Sequence, residues 1–227
     1  MRNIRYIALV ILVAVCFTGF AQNSENRNPG PFEEISVSEA IDVILIPGDV
    51  EKIEVVARNV DLEDVITEVS GGELEIRMAR GNYRNTDVTV TVTYKKIIAI
   101  EVSSAGSVVT RGVLRSPELS IHVSSAGDAD LEIEVRELEA SISSAGDIEV
   151  SGRSERSEIS VSSAGDFNGR DLKSNSADVK ASSGGSANIT VSSEINARAS
   201  SGGSIRYYGD PEKEHTSSSS GGSVRKS

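Results

Sequence analysis

In the second half of the chain, apolar residues fall at every other position, as in Glu118-Leu119-Ser120-Ile121-His122-Val123 and Glu158-Ile159-Ser160-Val161. Alternation with period two is the signature of a strand that buries one face. It is interrupted at regular intervals by Ser-Ser-[Ala/Gly]-Gly-[Ser/Asp], beginning at Ser103, Ser124, Ser143, Ser162, Ser182, Ser200 and Ser219. The intervals are 21, 19, 19, 20, 18 and 19 residues. Such a period predicts a solenoid, in which each coil stacks on the one before it.

Aligning the seven copies shows what each coil buries. Five residues beyond the first Ser stand Val108, Ala129, Ile148, Phe167, Ala187, Ile205 and Val224. Immediately before the motif stand Val102, Val123, Ile142, Val161, Ala181, Ala199 and Ser218, and two residues earlier Ile100, Ile121, Ala140, Ile159, Val179, Ala197 and Thr216. No segment of the repeat carries apolar residues at helical spacing over three turns, so the fold class is all-β. The motif itself predicts a corner. Its last Gly is expected to supply a positive φ, and the Ala or Gly ahead of it to keep bulk out of a bend where coils lie about 4.8 Å apart. The serine hydroxyls are expected to form ladders up the stack.

Residues 32–100 lack the motif but keep the strand pattern, in Ile41-Asp42-Val43-Ile44-Leu45-Ile46, Lys52-Ile53-Glu54-Val55-Val56, Glu73-Leu74-Glu75-Ile76-Arg77-Met78 and Asp87-Val88-Thr89-Val90-Thr91-Val92. Pro47-Gly48-Asp49, Gly71-Gly72 and Gly81-Asn82 mark turns. Only Asp61-Leu62-Glu63-Asp64-Val65-Ile66 suggests a helical turn. This section is the expected N-terminal cap, since a solenoid needs an atypical unit to close its end.

The first 21 residues follow a different rule. Arg2 and Arg5 precede the apolar run from Ile7 to Val15, and Ala21 is followed by the polar Gln22-Asn23-Ser24-Glu25. This is the layout of a secretory signal peptide. Residues 22–31 read as a linker. Cys16 is the one cysteine, inside the leader, so residues 22–227 can form neither a disulfide nor a thiolate zinc site. Lipid anchoring through Cys16 is the less favoured alternative to cleavage near Ala21, because Val15 is bulky for the position before a lipidated cysteine. Residues 22–227 retain 21 Lys and Arg against 34 Asp and Glu, a net charge of −13. That balance argues against nucleic acid, whose binding is driven by Lys and Arg.

Phe32-Glu33-Glu34-Ile35-Ser36-Val37, Val43-Ile44-Leu45-Ile46-Pro47-Gly48 and Gly72-Glu73-Leu74-Glu75-Ile76 are followed by the Ser-Ser-Ala-Gly coils. Ser201-Gly202-Gly203-Ser204 then precedes Tyr208-Gly209-Asp210-Pro211. In this succession the chain resembles the putative auto-transporter adhesin, head GIN domain family, over nearly everything after the leader. The resemblance implies a right-handed parallel β-helix, export to the periplasm or surface of a Gram-negative bacterium, and no catalytic residues to carry over.

The residues themselves offer little chemistry. The carboxylates of Asp128, Asp147 and Asp166 share one motif position, flanked by Ser107 and Ser186. Neighbours stacked about 5 Å apart in water repel by only about 0.8 kcal/mol. Asp hydrogen-bonding its own turn is therefore the favoured reading, and a weak calcium ridge the other. His122 is expected to face outward from a strand, and His215 to sit in the charged loop with Glu212, Lys213 and Glu214. Tyr207-Tyr208 is expected to cover the last coil rather than to stack on a sugar. The charged runs at residues 132–137 and 152–156 read as solvated outer faces.

The sequence thus predicts no catalytic, cofactor-binding or metal site. It points to an exported, non-enzymatic envelope or surface protein serving adhesion or ligand display, with an envelope protein or an extracellular glycan as partner. A carbohydrate-processing β-helix enzyme and a periplasmic scaffold are the alternatives. The incomplete final coil, residues 219–227, leaves room for self-association through that end.

Overall fold

The computed structural model describes residues 23–227. The predicted leader, with Cys16, lies outside them. Seventeen strands form one continuous sheet that winds into a parallel β-helix. Among the described residues there is no α-helix, and a single 3-10 turn occupies Leu62–Asp64.

The repeat coils are carried by β10 (Leu114–Val123), β11 (Asp128–Ile142), β12 (Asp147–Val161), β13 (Asp166–Ala181) and β14 (Ser186–Ala199). Each pairs in parallel with the next: Ile121 lies opposite Ala140, Ala140 opposite Ile159, Ile159 opposite Val179 and Val179 opposite Ala197. The three apolar columns of the sequence therefore become three buried stacks. From Val108 to Ile205, from Val102 to Ala199 and from Ile100 to Ala197, every member is at most 3% exposed. Burial of such side chains, about 1.5–3 kcal/mol for each large one, is what holds one coil on the next.

The corners depart from expectation. At Ser125 and Ala126, Ser144 and Ala145, and Ser163 and Ala164, it is the second Ser and the Ala that have positive φ, between 51° and 61°. In the last three corners Gly184, Gly202 and Gly221 replace that Ala, with φ of 77–78°. The last Gly of the motif is needed for space instead. A β-carbon on Gly146 would lie 2.9 Å from Val123 Cγ1, and one on Gly165 2.6 Å from Ile142 Cγ2. Ala145 and Ala164 are exposed. The roles expected of the two positions are thus exchanged. The ladder up the corner is also made of backbone: Ala126 N–H donates to Ser144 O at 3.1 Å and Ala145 N–H to Ser163 O at 3.1 Å, while Gly127 N–H closes its own turn on Ser124 O at 2.9 Å. No hydrogen bond joins the motif hydroxyls to one another among the described residues.

Toward the N-terminus the coil is continued by β2 (Glu34–Val37), β3 (Asp42–Pro47), β6 (Glu73–Met78), β7 (Asp87–Tyr94), β8 (Ala99–Val102) and β9 (Ser107–Thr110). There β4 (Lys52–Arg58) runs antiparallel to β7, and β5 (Val65–Ser70) antiparallel to β6. Residues 23–27, within the expected linker, instead form β1 (Asn23–Arg27), antiparallel to β4. The guanidinium of Arg27 fastens β1 down by donating to Leu62 O at 2.7 Å and to Thr67 Oγ1 at 3.0 Å. Antiparallel strands break the parallel ladder, so this section closes the stack.

At the opposite end lie β15 (Ser204–Tyr208), β16 (Lys213–Ser218) and β17 (Ser223–Lys226). His215 belongs to β16 rather than to a loop. The inward columns turn polar here, with Glu214 opposite Ile195, Thr216 opposite Ala197 and Ser218 opposite Ala199. The Glu214 carboxylate accepts from Tyr207 Oη at 3.0 Å and from Lys226 Nζ at 2.8 Å. These two bonds, that of Lys226 first, hold its carboxyl below the ordinary range.

Candidate functional site

One edge of the β-helix is recessed. Between the corner glycines and the next flat face, β12 and β13 shift register between Glu149 and Gly152, and β13 and β14 shift between Gly169 and Lys173 and between Ser174 and Ser176. Gly152 makes the bend possible: its φ is +108°, and a β-carbon there would lie within 2.0 Å of the Ile133 carbonyl oxygen. The irregular turns leave a groove of about 780 Å³ that runs along the stack from Ser116 through residues 134–136, 153–155, 173–175 and 190–192 to Gly209 and Asp210.

Its floor is polar. Ser116, Ser154, Ser157 and Ser174 are the buried polar residues among those described. Ser154 Oγ donates to Ser174 Oγ at 3.0 Å, and Ser157 Oγ lies 2.7 Å from Ser154 Oγ and 3.0 Å from Ser174 Oγ. Ser174 passes its proton to Ser176 O at 2.9 Å, and Ser116 to Glu118 O at 2.7 Å. The hydrogen bonds of these hydroxyls thus run to one another and to backbone carbonyls.

The walls are charged. Glu134 is paired with Arg115 at 3.0 Å and Asp210 with Lys226 at 3.1 Å. Arg136, Arg153 and Lys173 also line the groove, exposed and with no ion pair among the described residues. Arg153 lies directly opposite Lys173 in the ladder. Beside them Arg170 stacks its guanidinium 4.9 Å from the centre of the Tyr208 ring. The runs around residues 132–137 and 152–156, read from sequence as plain solvated faces, therefore contain the cationic wall of a concavity. In the sequence Arg153 and Lys173 share one place, nine residues before Ser162 and Ser182.

The aspartate column is real but flat. Asp128 lies opposite Asp147, and Asp147 opposite Asp166, with Ser107 and Ser186 at its ends. Burial, then the charges of Asp147 and Asp130, push the Asp128 carboxyl above its ordinary value. Among the described residues no group of three or more His, Cys, Asp or Glu side chains is arranged to hold a metal ion. A shallower groove of about 380 Å³ carries Glu118, Glu137, Glu139 and Glu158. These are exposed, side by side on neighbouring strands of one face, whereas a glycosidase pair faces across a cleft. His122 and His215 are exposed, on strands. Tyr207 is buried, 4% exposed, and helps close the last coil, with Tyr208 half-buried beside it.

Solved structures share this architecture. A putative adhesin from Bacteroides fragilis superposes with a TM-score of 0.84 at 15% identity, over 92% of this chain and 98% of that one. A putative adhesin from Parabacteroides merdae gives 0.74 at 18%, over 91% and 96%. A putative lipid binding protein from Parabacteroides distasonis gives 0.72 at 20%, over 91% and 96%. At these identities the likeness speaks for the fold. No curated protein matches the sequence. The family model described as "Putative auto-transporter adhesin, head GIN domain" matches residues 31–211, and the chain belongs to that family.

Proposed function

We propose that this is an exported, non-enzymatic protein of the bacterial envelope or surface that binds an extended polymer, a glycan, in the lengthwise groove and so serves adhesion or ligand display. The observation that carries this reading is the direction of the groove. It crosses six successive coil positions, Ser116 to Gly209, which at about 4.8 Å per step is roughly 24 Å along the axis. A polymer can lie in such a channel and repeat its contacts coil by coil, as solenoids use their elongated surfaces. The groove offers hydroxyl, amide and cationic groups, and two of its three carboxylates, Glu134 and Asp210, are held in ion pairs with Arg115 and Lys226.

The alternatives have less to stand on. A scaffold that docks an envelope protein through an apolar face would need such a face, and Val50 is the one exposed large hydrophobic residue among those described. Stacking of a second copy on the last coil would set Glu214, Thr216 and Ser218 where apolar contact is needed.

The test is glycan binding by the purified protein and by variants that fill the groove from exposed positions, Asn175→Trp and Ser192→Trp. Loss of binding in both, with unchanged thermal unfolding and no release of new reducing ends, is the expected result. Depolymerisation of the glycan, or binding indifferent to both substitutions, would overturn the reading.

A further inference from the structure

Resting on the polymer-binding reading of the groove, we propose that its ligand is a linear acidic polysaccharide whose carboxylate or sulfate groups are held by Arg136, Arg153 and Lys173. Acidic residues outnumber basic ones by 11 over the whole chain. Three cations gathered in one concavity without a carboxylate partner run against that composition. The ladder sets Arg153 between Glu134, whose carboxylate is bonded to Arg115, and Lys173, and like charges directly opposite on neighbouring strands are unfavourable. A bound anion between them removes that repulsion.

The groove's own carboxylates are mostly engaged. Arg115 holds Glu134 and Lys226 holds Asp210, which leaves Glu155 as the one acidic wall residue without an ion pair among those described. Donors therefore predominate on the surface a ligand would meet. Arg170 stands beside this wall, because Thr190, which lines the groove, donates to Arg170 O at 2.6 Å and pairs with Tyr208 in the ladder. The Tyr208 ring is already occupied by that guanidinium, so the face most suited to a nucleobase is taken. Net negative charge further disfavours nucleic acid, whose phosphates are bound through many cations at once.

An anionic membrane fits poorly as well. The cations are recessed along a concave edge, whereas a bilayer surface needs a convex basic face, usually with apolar side chains to insert. A single chain bearing one anion per sugar or per few sugars can enter the groove and meet cations on three consecutive coils.

The test uses the purified protein against polygalacturonate for carboxylates, dextran sulfate for sulfates, unmodified dextran for a neutral chain, and phosphatidylglycerol vesicles. Binding to at least one polyanion, weakening with salt, and none to dextran is expected. The double variant Arg153→Gln/Lys173→Gln should bind that polyanion at least tenfold more weakly and with a flatter salt dependence. Arg111→Gln/Arg206→Gln removes the same charge at exposed positions away from the groove and should bind as the parent does. Equal losses in the two double variants, no loss in the first, or vesicles bound in preference to both polyanions would overturn the inference. Neutral chains bound in the groove while polyanions are not would also overturn it, yet leave the polymer-binding reading standing. Polyanion binding unaffected by Asn175→Trp would remove both.

Discussion

Gly203 packs against the backbone of Ala181 in the preceding coil so closely that a β-carbon on it would sit 2.4 Å from the Ala181 carbonyl oxygen. Its neighbour Gly202 has φ of +78° but open space, the nearest atom being 4.0 Å away. The two glycines thus serve different needs. Gly203→Ala must push two coils apart and should cost about 1–3 kcal/mol by overpacking. Gly202→Ala places there the residue that Ala126, Ala145 and Ala164 supply at φ of 59–61° in other corners, and should cost about 1 kcal/mol for the left-handed backbone alone, less than Gly203→Ala. Urea midpoints of the two variants provide the comparison, and equal effects would refute this division of roles.

That division was not legible in the sequence, although the coil was. The strand columns could be read because side-chain period two and coil period nineteen reinforce one another, so Val108, Ala129, Ile148 and Phe167 had to share a face. The two small residues of the corner are chemically alike, and only the distance to Val123 or Ala181 tells a φ requirement from a space requirement. The groove was hidden for another reason. Arg153 and Lys173 each stand nine residues before the next Ser-Ser motif, at Ser162 and Ser182, but that spacing does not tell a concave edge from a flat face. Ser154 and Ser174 share an inward column with Val135 and Val191, and their polarity conceals it in the sequence. β1 escaped notice because Asn23-Ser24-Glu25-Asn26-Arg27 has no apolar face at all, and is held by its backbone pairing and by Arg27.

Tyr94 is 2% exposed, and its hydroxyl has no hydrogen-bond partner. Burial pushes its pKa up to about 12. Tyr94→Phe removes an unsatisfied buried group at nearly constant shape and should stabilise the protein by about 1 kcal/mol. The pH dependence has a defined sign. With a folded value near 12 and a reference value of 10.0, the unfolded chain ionises first, so stability falls as pH rises through that window. The Phe variant should lose less than the parent between those values. A parallel loss in both, followed by thermal unfolding, would refute the assignment.

Asp128 should respond to acid in a related way. Its carboxyl is raised above the ordinary value of 3.8, by burial first and then by Asp147 and Asp130. The folded state therefore holds the proton more tightly than the unfolded one, and the cost of keeping Asp128 charged is relieved as pH falls through the folded value. Asp128→Ser, the residue present in the same column at Ser107 and Ser186, should raise the unfolding midpoint at neutral pH. Because the column faces solvent, the gain should stay under about 1 kcal/mol, and it should vanish below the reference value. Added calcium should leave the parent's midpoint unchanged. A calcium-dependent rise that Asp128→Ser abolishes would restore the metal-ridge reading.

The serine cluster under the groove separates a packing role from a binding role. Ser174 Oγ accepts from Ser154, lies 3.0 Å from Ser157 and donates to Ser176 O. Ser174→Ala leaves two buried hydroxyls short of their shared partner and should cost about 1–3 kcal/mol. Replacing the whole cluster should cost less, because nothing is then left unsatisfied. The ladder names the replacements. Ser154 lies opposite Val135, Ser174 opposite Val191, and Ser157 opposite Leu138 on one side and Ala177 on the other. Ser154→Val/Ser157→Ala/Ser174→Val therefore extends columns that already exist. Urea midpoints should rank the parent and the triple variant close together, with Ser174→Ala below both. Since the hydroxyls are spent on one another, the triple variant should also keep polyanion binding within a few-fold of the parent. A triple variant less stable than the single one would refute the hydrogen-bond account, and stable protein that had lost the polyanion would make the floor, rather than Arg153 and Lys173, the recognising surface.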